Sequence, residues 1–322
     1  MAIHDSNNRL SPVKTTNLRI CCFYLDWLMI NKNIQPRGVN YQDGDSCRHA
    51  VNQLINQYYS DKARQTRLLE EMDAACDENI LPQSGFDWLN KDERAAFWLW
   101  AYICKTPDYK IGMLPSVDAE AGKNGYQSLQ LSYSPADHQE RISLIFNFFD
   151  EIIIPTPPVN HLKKQALERL KDKWKAICSK PLPLKWLPDE EEAVLWAWNN
   201  LQKLQLEKSP VSNSYGFDFS APGLTTWFIP LSHTERCLAL RAALDLWHNA
   251  PDTKRSFLLN LNKAWNQQKL RQSRTDKKAL NTYLKNDTKM KLDELAAHYG
   301  IRISDVLEKL INAHHRETLS DK

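Results

Sequence analysis

The residues best suited to bind another molecule lie in one block near the end of the chain. Residues 252–291 hold 11 lysines and arginines against 3 aspartates and glutamates. The whole chain of 322 residues has a net charge of only +3, so the remainder outside this region is slightly acidic. Concentrated positive charge indicates a polyanionic partner. A solvated helix face is the alternative interpretation, and the residues that follow favour the polyanion.

A change of hydrophobic period marks the segment that follows residue 276. Residues 280–285 alternate apolar and polar side chains, which predicts one short β-strand. A helical period begins near Met290, and Gly300 is predicted to end that helix. Ser304 is predicted to cap a second helix. The segment therefore reads as strand, helix, glycine turn and helix.

This order resembles the ribbon-helix-helix family of DNA-binding proteins, without insertion or deletion between Leu280 and Ile311. With the basic helix before it, the segment is also similar to the MatP family of Ter-macrodomain organisers. In that family a helical bundle with a basic helix precedes the ribbon-helix-helix. The resemblance covers roughly residues 245–316, and residues 1–230 resemble no family that we recognise.

The resemblance implies a homodimer in which two strands pair antiparallel and enter the DNA major groove. The implied dimer core consists of Leu280, Thr282, Leu284, Leu292, Leu295, Leu307 and Leu310. The implied base-reading residues are Asn281 and Tyr283, with Ala279 and Lys285 at the margins.

Cationic and polar side chains around this segment are expected to contact phosphates. They are Lys263, Lys269, Arg271, Arg274, Lys277, Lys278, Arg302 and Ser304. A second basic helix predicts another DNA surface at Lys163, Lys164, Arg169 and Lys173. The ribbon-helix-helix resemblance also implies that the backbone amides of residues 303–305 hold a phosphate at a helix N-terminus.

The rest of the chain predicts a helical body with internal repeats. Residues 88–100 match residues 186–198 without gaps, and Trp98 and Trp100 recur as Trp196 and Trp198. Residues 140–150 more faintly match residues 235–245. Tryptophans that recur in register are more typical of packing anchors than of a ligand cage. Three helical units are predicted, at about 46–103, 139–201 and from 233 to 272 onward.

The predicted fold is mainly α, a helical-repeat body followed by a ribbon-helix-helix with one short strand per chain. Its predicted helices span residues 18–30, 47–59, 62–75, 88–103, 136–154, 160–178, 186–201, 232–249 and 253–272. The predicted domains are a helical domain at 1–105, an irregular segment at 106–135, a helical unit at 136–207, a linker at 208–230, a unit with the basic helix at 231–275 and the ribbon-helix-helix at 276–322.

Composition argues against several classes of protein. Only 9 glycines are present, which disfavours Gly-rich phosphate loops and hairpin-rich β folds. No apolar run is long enough for a transmembrane helix, and the first ten residues lack a signal-peptide core. The 7 cysteines include no CxxC and are expected to be reduced thiols. The expected location is the cytoplasm, in association with the nucleoid.

The function predicted from these patterns is sequence-specific binding of double-stranded DNA by a homodimer. No catalytic motif and no metal-ligand spacing is recognisable, so neither catalytic residues nor a cofactor is expected. Two alternatives remain open at this stage. One is an enzyme with a DNA-targeting tail. The other is an interaction scaffold whose body binds a protein partner and whose C-terminal module only dimerises.

Overall fold

The computed structural model describes residues 12–113, 124–152, 154, 158–180, 182–208, 223–247, 251–273, 278 and 280–319. The chain divides into two compact units, Met1–Ala264 and Trp265–Lys322. We call the first the body and the second the C-terminal unit. Each is considered separately below.

Helices make up most of the described residues, and no β-strand occurs among them, which confirms the mainly α class. The helices in the described part are α1 (Leu18–Lys32), α2 (Gly44–Tyr58), α3 (Lys62–Asn79), α4 (Asp87–Asn90), α5 (Glu93–Lys105), α6 (Asp108–Ile111), α7 (Gly125–Ser128), α8 (His138–Glu151), α9 (Val159–Cys178), α10 (Glu191–Lys208), α11 (Leu224–Trp227), α12 (His233–Leu246), α13 (Pro251–Gln272), α14 (Asn286–Tyr299) and α15 (Ile303–Leu319).

Two helix starts differ from the sequence prediction. The predicted helix 88–103 is divided into α4 and α5, because the Asp92 carboxylate accepts hydrogen bonds from the backbone N–H groups of Arg94 and Ala95. A side chain that accepts from these first amides begins a new helix at the next residue. The predicted helix 186–201 likewise begins only at Glu191. Trp186 therefore lies before its helix.

Nine of the described helices fall into three consecutive sets of the same order. The sets are α1, α2 and α3; then α5, α8 and α9; then α10, α12 and α13. Equivalent positions are buried in all three sets, as in repeated helical units. Examples are Leu25, Trp100 and Trp198 in the first helices, Val51, Ile145 and Leu240 in the second, and Met72, Leu170 and Leu261 in the third.

The apolar side chains of the body form two cores. One is built from α1, α2 and α3, and the larger one extends from Leu81 to Leu261. Trp98, Trp100 and Trp198 are buried in the larger core, and Trp196 is packed against it, so these tryptophans serve as packing anchors. All seven cysteines are free thiols.

A partly buried ion pair joins neighbouring sets and recurs at equivalent positions. Arg19 in α1 donates to both carboxylate oxygens of Asp150 in α8, at 2.6 and 2.5 Å. Arg94 in α5 donates in the same bidentate way to Asp245 in α12, at 2.8 and 2.7 Å. The two aspartates stand at the same position of their helices, so the chain repeats this ion pair from one set to the next.

A lysine of the following helix completes each contact. Lys163 donates from Nζ to the carbonyl oxygen of Asp150 at 3.2 Å, and Lys254 donates to that of Leu244 at 3.2 Å. Burial lowers the pKa of both lysines. In the first set, the equivalent positions hold Asn56 and Gln65, whose side chains bond to each other. The first set thus has two uncharged amides where the other two sets have an aspartate and a lysine.

Candidate nucleic-acid interface

The cations predicted to contact phosphates are exposed wherever the structure describes them. Lys263, Lys269 and Arg271 project from α13, and Lys278 follows that helix. Among the described residues, neither Lys278 nor Lys285 forms an ion pair. Three predicted residues lie outside the described part of the chain, namely Arg274, Lys277 and Ala279.

Residues 280–285 join α13 to α14 and have neither helical nor strand structure. Asn281, Thr282 and Tyr283 are exposed, and the Tyr283 ring is fully open to solvent. Lys285 is extended (φ −60°, ψ 147°) at the start of α14. A strand needs a neighbouring strand for its backbone hydrogen bonds. The predicted strand is therefore not present in this chain by itself, and its pairing stays a prediction.

The predicted helix–glycine–helix order of the C-terminal unit is present. Gly300 adopts the left-handed conformation (φ 63°) and ends α14, as the sequence predicts, with its N–H directed to the carbonyls of Ala296 and Ala297. The helices α14 and α15 pack on each other, with Leu292 and Val306 buried.

The apolar side chains assigned to a dimer core are only partly covered. Leu292 is buried and Leu295 and Leu307 are half-buried, whereas Leu280, Thr282, Leu284 and Leu310 are exposed. On α15, Ile303, Val306, Leu307, Leu310 and Ile311 follow the spacing of one helix face, and we call them the α15 stripe. Only Val306 of this stripe is fully buried.

The start of α15 differs from the prediction. Arg302 precedes the helix and Ser304 lies within its first turn, so Ser304 is not the capping residue. The Arg302 Nε donates to Asp305 at 3.1 Å, and the Ser304 hydroxyl donates to the same carboxylate at 3.2 Å. Because Asp305 places negative charge in this turn, a phosphate there must compete with a carboxylate.

The four residues of the second predicted DNA surface differ in exposure, and the prediction is wrong for Lys163. Lys163 is 1% exposed, and its Nζ donates to the carbonyl oxygens of Asn79 and Asp150 at 3.0 and 3.2 Å. It therefore faces the interior and cannot reach a phosphate. Lys164 and Arg169 are exposed on α9, although Arg169 also donates to the carbonyl of Gly112. Lys173 is exposed and donates to the Tyr102 hydroxyl at 2.9 Å.

Local ion pairs reduce the positive charge of the C-terminal unit. Lys289 pairs with Asp293, and Lys291 pairs with Asp287 at 2.8 Å, each across one helical turn. These pairs are exposed and contribute little to stability. Lys278 and Lys285, which have no ion pair among the described residues, lie between α13 and α14 in the same segment of chain as the exposed Tyr283.

The described residues contain no group of three or more His, Cys, Asp or Glu side chains arranged to hold a metal ion. None of their helices combines the length and apolar character needed to cross a membrane. Comparison with known proteins found no family model, no curated protein and no solved structure that matches this chain. The resemblance to ribbon-helix-helix proteins therefore rests on the sequence pattern.

The sequence pattern missed one group of cations, Arg94, Lys185 and Arg241, which line a common cavity in the body. They are far apart in the sequence and belong to no basic run. The sequence does hold one sign of this group. When α8 is aligned with α12, Arg241 occupies the position of the apolar Phe146, so the repeat gains a charge there.

Proposed function

We propose that the protein is a homodimeric, sequence-specific double-stranded DNA-binding protein that acts as a transcriptional regulator or as an organising factor of a chromosome or plasmid. The observation that carries this proposal is that the C-terminal unit leaves apolar side chains such as Leu310 and Ile311 exposed and also holds exposed cations. The residues 280–285 of two copies would pair as a ribbon in the major groove, and the exposed lysines and arginines would contact phosphates.

The α15 stripe supports dimerisation. Two helices that bury little more than Leu292 and Val306 lack the apolar core that a stable small unit needs. A second copy placed against the stripe would cover Leu310 and Ile311, which are otherwise exposed. Pairing of residues 280–285 between two copies would also give their backbone N–H and C=O groups the strand-to-strand hydrogen bonds that one chain does not provide.

Phosphate contacts would supply the affinity for DNA, and base contacts would supply the sequence specificity. Side chains such as Lys269 would bind phosphates of any sequence, whereas Asn281 and Tyr283 would face base edges. Lys164 and Arg169 on α9 remain candidates for additional phosphate contact. Lys163 does not, because its ammonium group is buried.

Selection of bound duplexes from a random pool by the full chain tests the proposal. We expect an enriched site with two-fold symmetry, since a symmetric dimer reads two equivalent half-sites. Affinity should fall steeply with salt, with a slope of about −0.9 in log K for each neutralised phosphate. Binding that is insensitive to salt on every duplex would contradict the proposal.

Substitutions can separate base reading from phosphate contact. We expect Tyr283→Ala to reduce the ratio of specific to random affinity, and Lys269→Ala to weaken all duplexes alike. Matched controls are Tyr58→Ala and Lys62→Ala, which remove exposed side chains of the same types from the body. If the controls reduce binding as much as the test variants do, the segment has no special role.

The same assays decide between the alternatives. A chain that dimerises but binds no duplex would support the interaction scaffold, with the body holding a protein partner. Metal-dependent cleavage of a bound duplex would support an enzyme with a DNA-targeting tail.

A further inference from the structure

A cavity of about 320 Å³ opens in the body between α5, α12 and the segment that follows α9. Its charged wall consists of Arg94, Lys185 and Arg241 with a single carboxylate, Asp189. Leucines at positions 182, 184 and 187 form its apolar wall. The size is that of a small-molecule site. Three cations outnumber the two nearby carboxylates, Asp189 and the Asp245 that binds Arg94, so the site is positively charged.

Hydrogen-bond donors of these cations are available in the cavity. Arg94 uses Nε and Nη2 on Asp245, so its Nη1 has no partner among the described residues. Arg241 lies 3.7 Å from the exposed Asp189 carboxylate, which is beyond hydrogen-bond distance. Lys185 is exposed and forms no ion pair with any residue that the structure describes.

The equivalent place in the preceding set has an uncharged residue where this one has Arg241. There Arg19 has the same bidentate contact with Asp150, and it also donates to the carbonyl of Leu81 at 3.0 Å. The position equivalent to Arg241 holds Phe146, whose ring lies 4.4 Å from the Arg19 guanidinium. One set thus covers its arginine with an aromatic ring, and the other places a second arginine beside a cavity.

The arginine at the centre of the site is held in position from behind. Asp245 is 2% exposed and binds Arg94 on two atoms, and the Trp174 ring lies 5.4 Å from the guanidinium. An arginine fixed in this way offers its remaining N–H groups at low entropic cost. Planar guanidinium groups recognise phosphates and carboxylates by such paired hydrogen bonds.

From this cavity we infer that the body binds a small molecule with a phosphate or carboxylate group on an apolar skeleton. The anionic group bonds to Arg94, Arg241 and Lys185, and the skeleton packs on the leucines. This site goes beyond the proposed DNA binding and is independent of it, because every residue that forms it lies in the body. Binding of an anion to the site is measured without nucleic acid.

Three aromatic probes of similar size test the inference by calorimetry on the full chain in about 150 mM salt, where non-specific attraction is screened. Phenyl phosphate, benzoate and benzyl alcohol differ in their charged group. We expect saturable binding of one or both anions, with the neutral alcohol about tenfold or more weaker. The stronger anion identifies the group as phosphate or carboxylate.

Variants locate the binding. Arg241→Ala is expected to weaken the bound anion about tenfold or more, since one charge-assisted contact is lost. Lys175→Ala, which removes an exposed cation from α9 outside the cavity, serves as the matched control and should leave the affinity unchanged. Circular dichroism and thermal unfolding verify that each variant is folded.

Several results would overturn the inference. One is the absence of saturation by either anion up to about 10 mM, and another is equal affinity of wild type and Arg241→Ala. If neither anion binds while Arg241→Ala weakens binding of a duplex, the cavity belongs to the DNA surface. Loss of duplex binding with retained anion binding would instead contradict only the proposed function.

Discussion

The body and the C-terminal unit bury their apolar side chains to very different extents. In the body, equivalent positions of three helix sets are closed in two cores, and charged contacts between sets are partly or wholly withdrawn from solvent. In the C-terminal unit, Leu292 and Val306 are buried while Leu280, Leu310 and Ile311 are exposed. The body therefore closes its own cores, whereas the C-terminal unit leaves apolar side chains uncovered, which the proposed second copy would cover.

Asp245→Ala tests the buried contacts of the body and should have the largest effect. It leaves the guanidinium of Arg94 without its carboxylate, so we expect a loss of about 3 to 5 kcal/mol in the free energy of unfolding. Denaturant titration measures this loss. Asp293→Ala, which breaks an exposed pair in the C-terminal unit, should cost about 0.5 kcal/mol or less. Equal losses of unfolding free energy in the two variants would contradict the difference in burial between the ion pairs of the two regions.

Ile311→Ser tests whether a second copy completes the C-terminal unit. The change removes an apolar side chain from both halves of a symmetric interface, at about 1.5 kcal/mol each. The dimer dissociation constant should therefore rise about 100-fold, as measured by sedimentation. Leu259→Ser on α13 is the control, because its side chain is 54% exposed, close to the 56% of Ile311. A Leu259 variant that dissociates equally would contradict the assignment of the interface.

Lys163→Met tests the cost of a buried charge in the body. Burial lowers the pKa of Lys163 from 10.5 to about 8, so between these values the unfolded chain binds more protons than the folded one. The contribution of Lys163 to stability therefore rises with pH across this window. As the pH is raised from about 8 to 10.5, the unfolding free energy of wild type should rise by about 2 to 3 kcal/mol relative to that of the variant.

Other groups titrate in the same range, so the comparison of two chains at each pH isolates Lys163. Lys164→Met alters the exposed neighbour and provides the control. A pH-independent difference for Lys163→Met would mean that this ammonium group is not penalised by burial.

Gly300→Ala and Gly38→Ala compare the same local strain in the two regions and should have the smallest effects. Both glycines have φ near +65°, and an added Cβ would meet no atom within 4 Å at either position. Each substitution should therefore cost about 1 kcal/mol from backbone strain alone. We expect hydrogen exchange to show the Gly300 effect in α14 and α15 and the Gly38 effect in the body.

Local sequence patterns predicted most helices of both regions and the glycine that ends α14. Periodicity and capping act within a few residues, so they can be read from the chain itself. The errors lie where one residue outweighed the pattern, as at Asp92, which divides a predicted helix, and at Ser304, which lies inside the helix that it was expected to cap. The strand predicted at residues 280–285 would need a second chain for its backbone hydrogen bonds, which a local pattern does not report.

The sequence alone determined the mainly helical class, the recurrence of tryptophans in register and the concentration of positive charge near the end. Only the tertiary structure decided which charges are buried and which are accessible. Lys163 and Lys164 are neighbours of one residue type, yet one is enclosed by carbonyl oxygens and the other is exposed. Arg94 meets Asp245 across 151 residues of chain. Burial and charge pairing depend on distances in space, and these are set only when the helices pack.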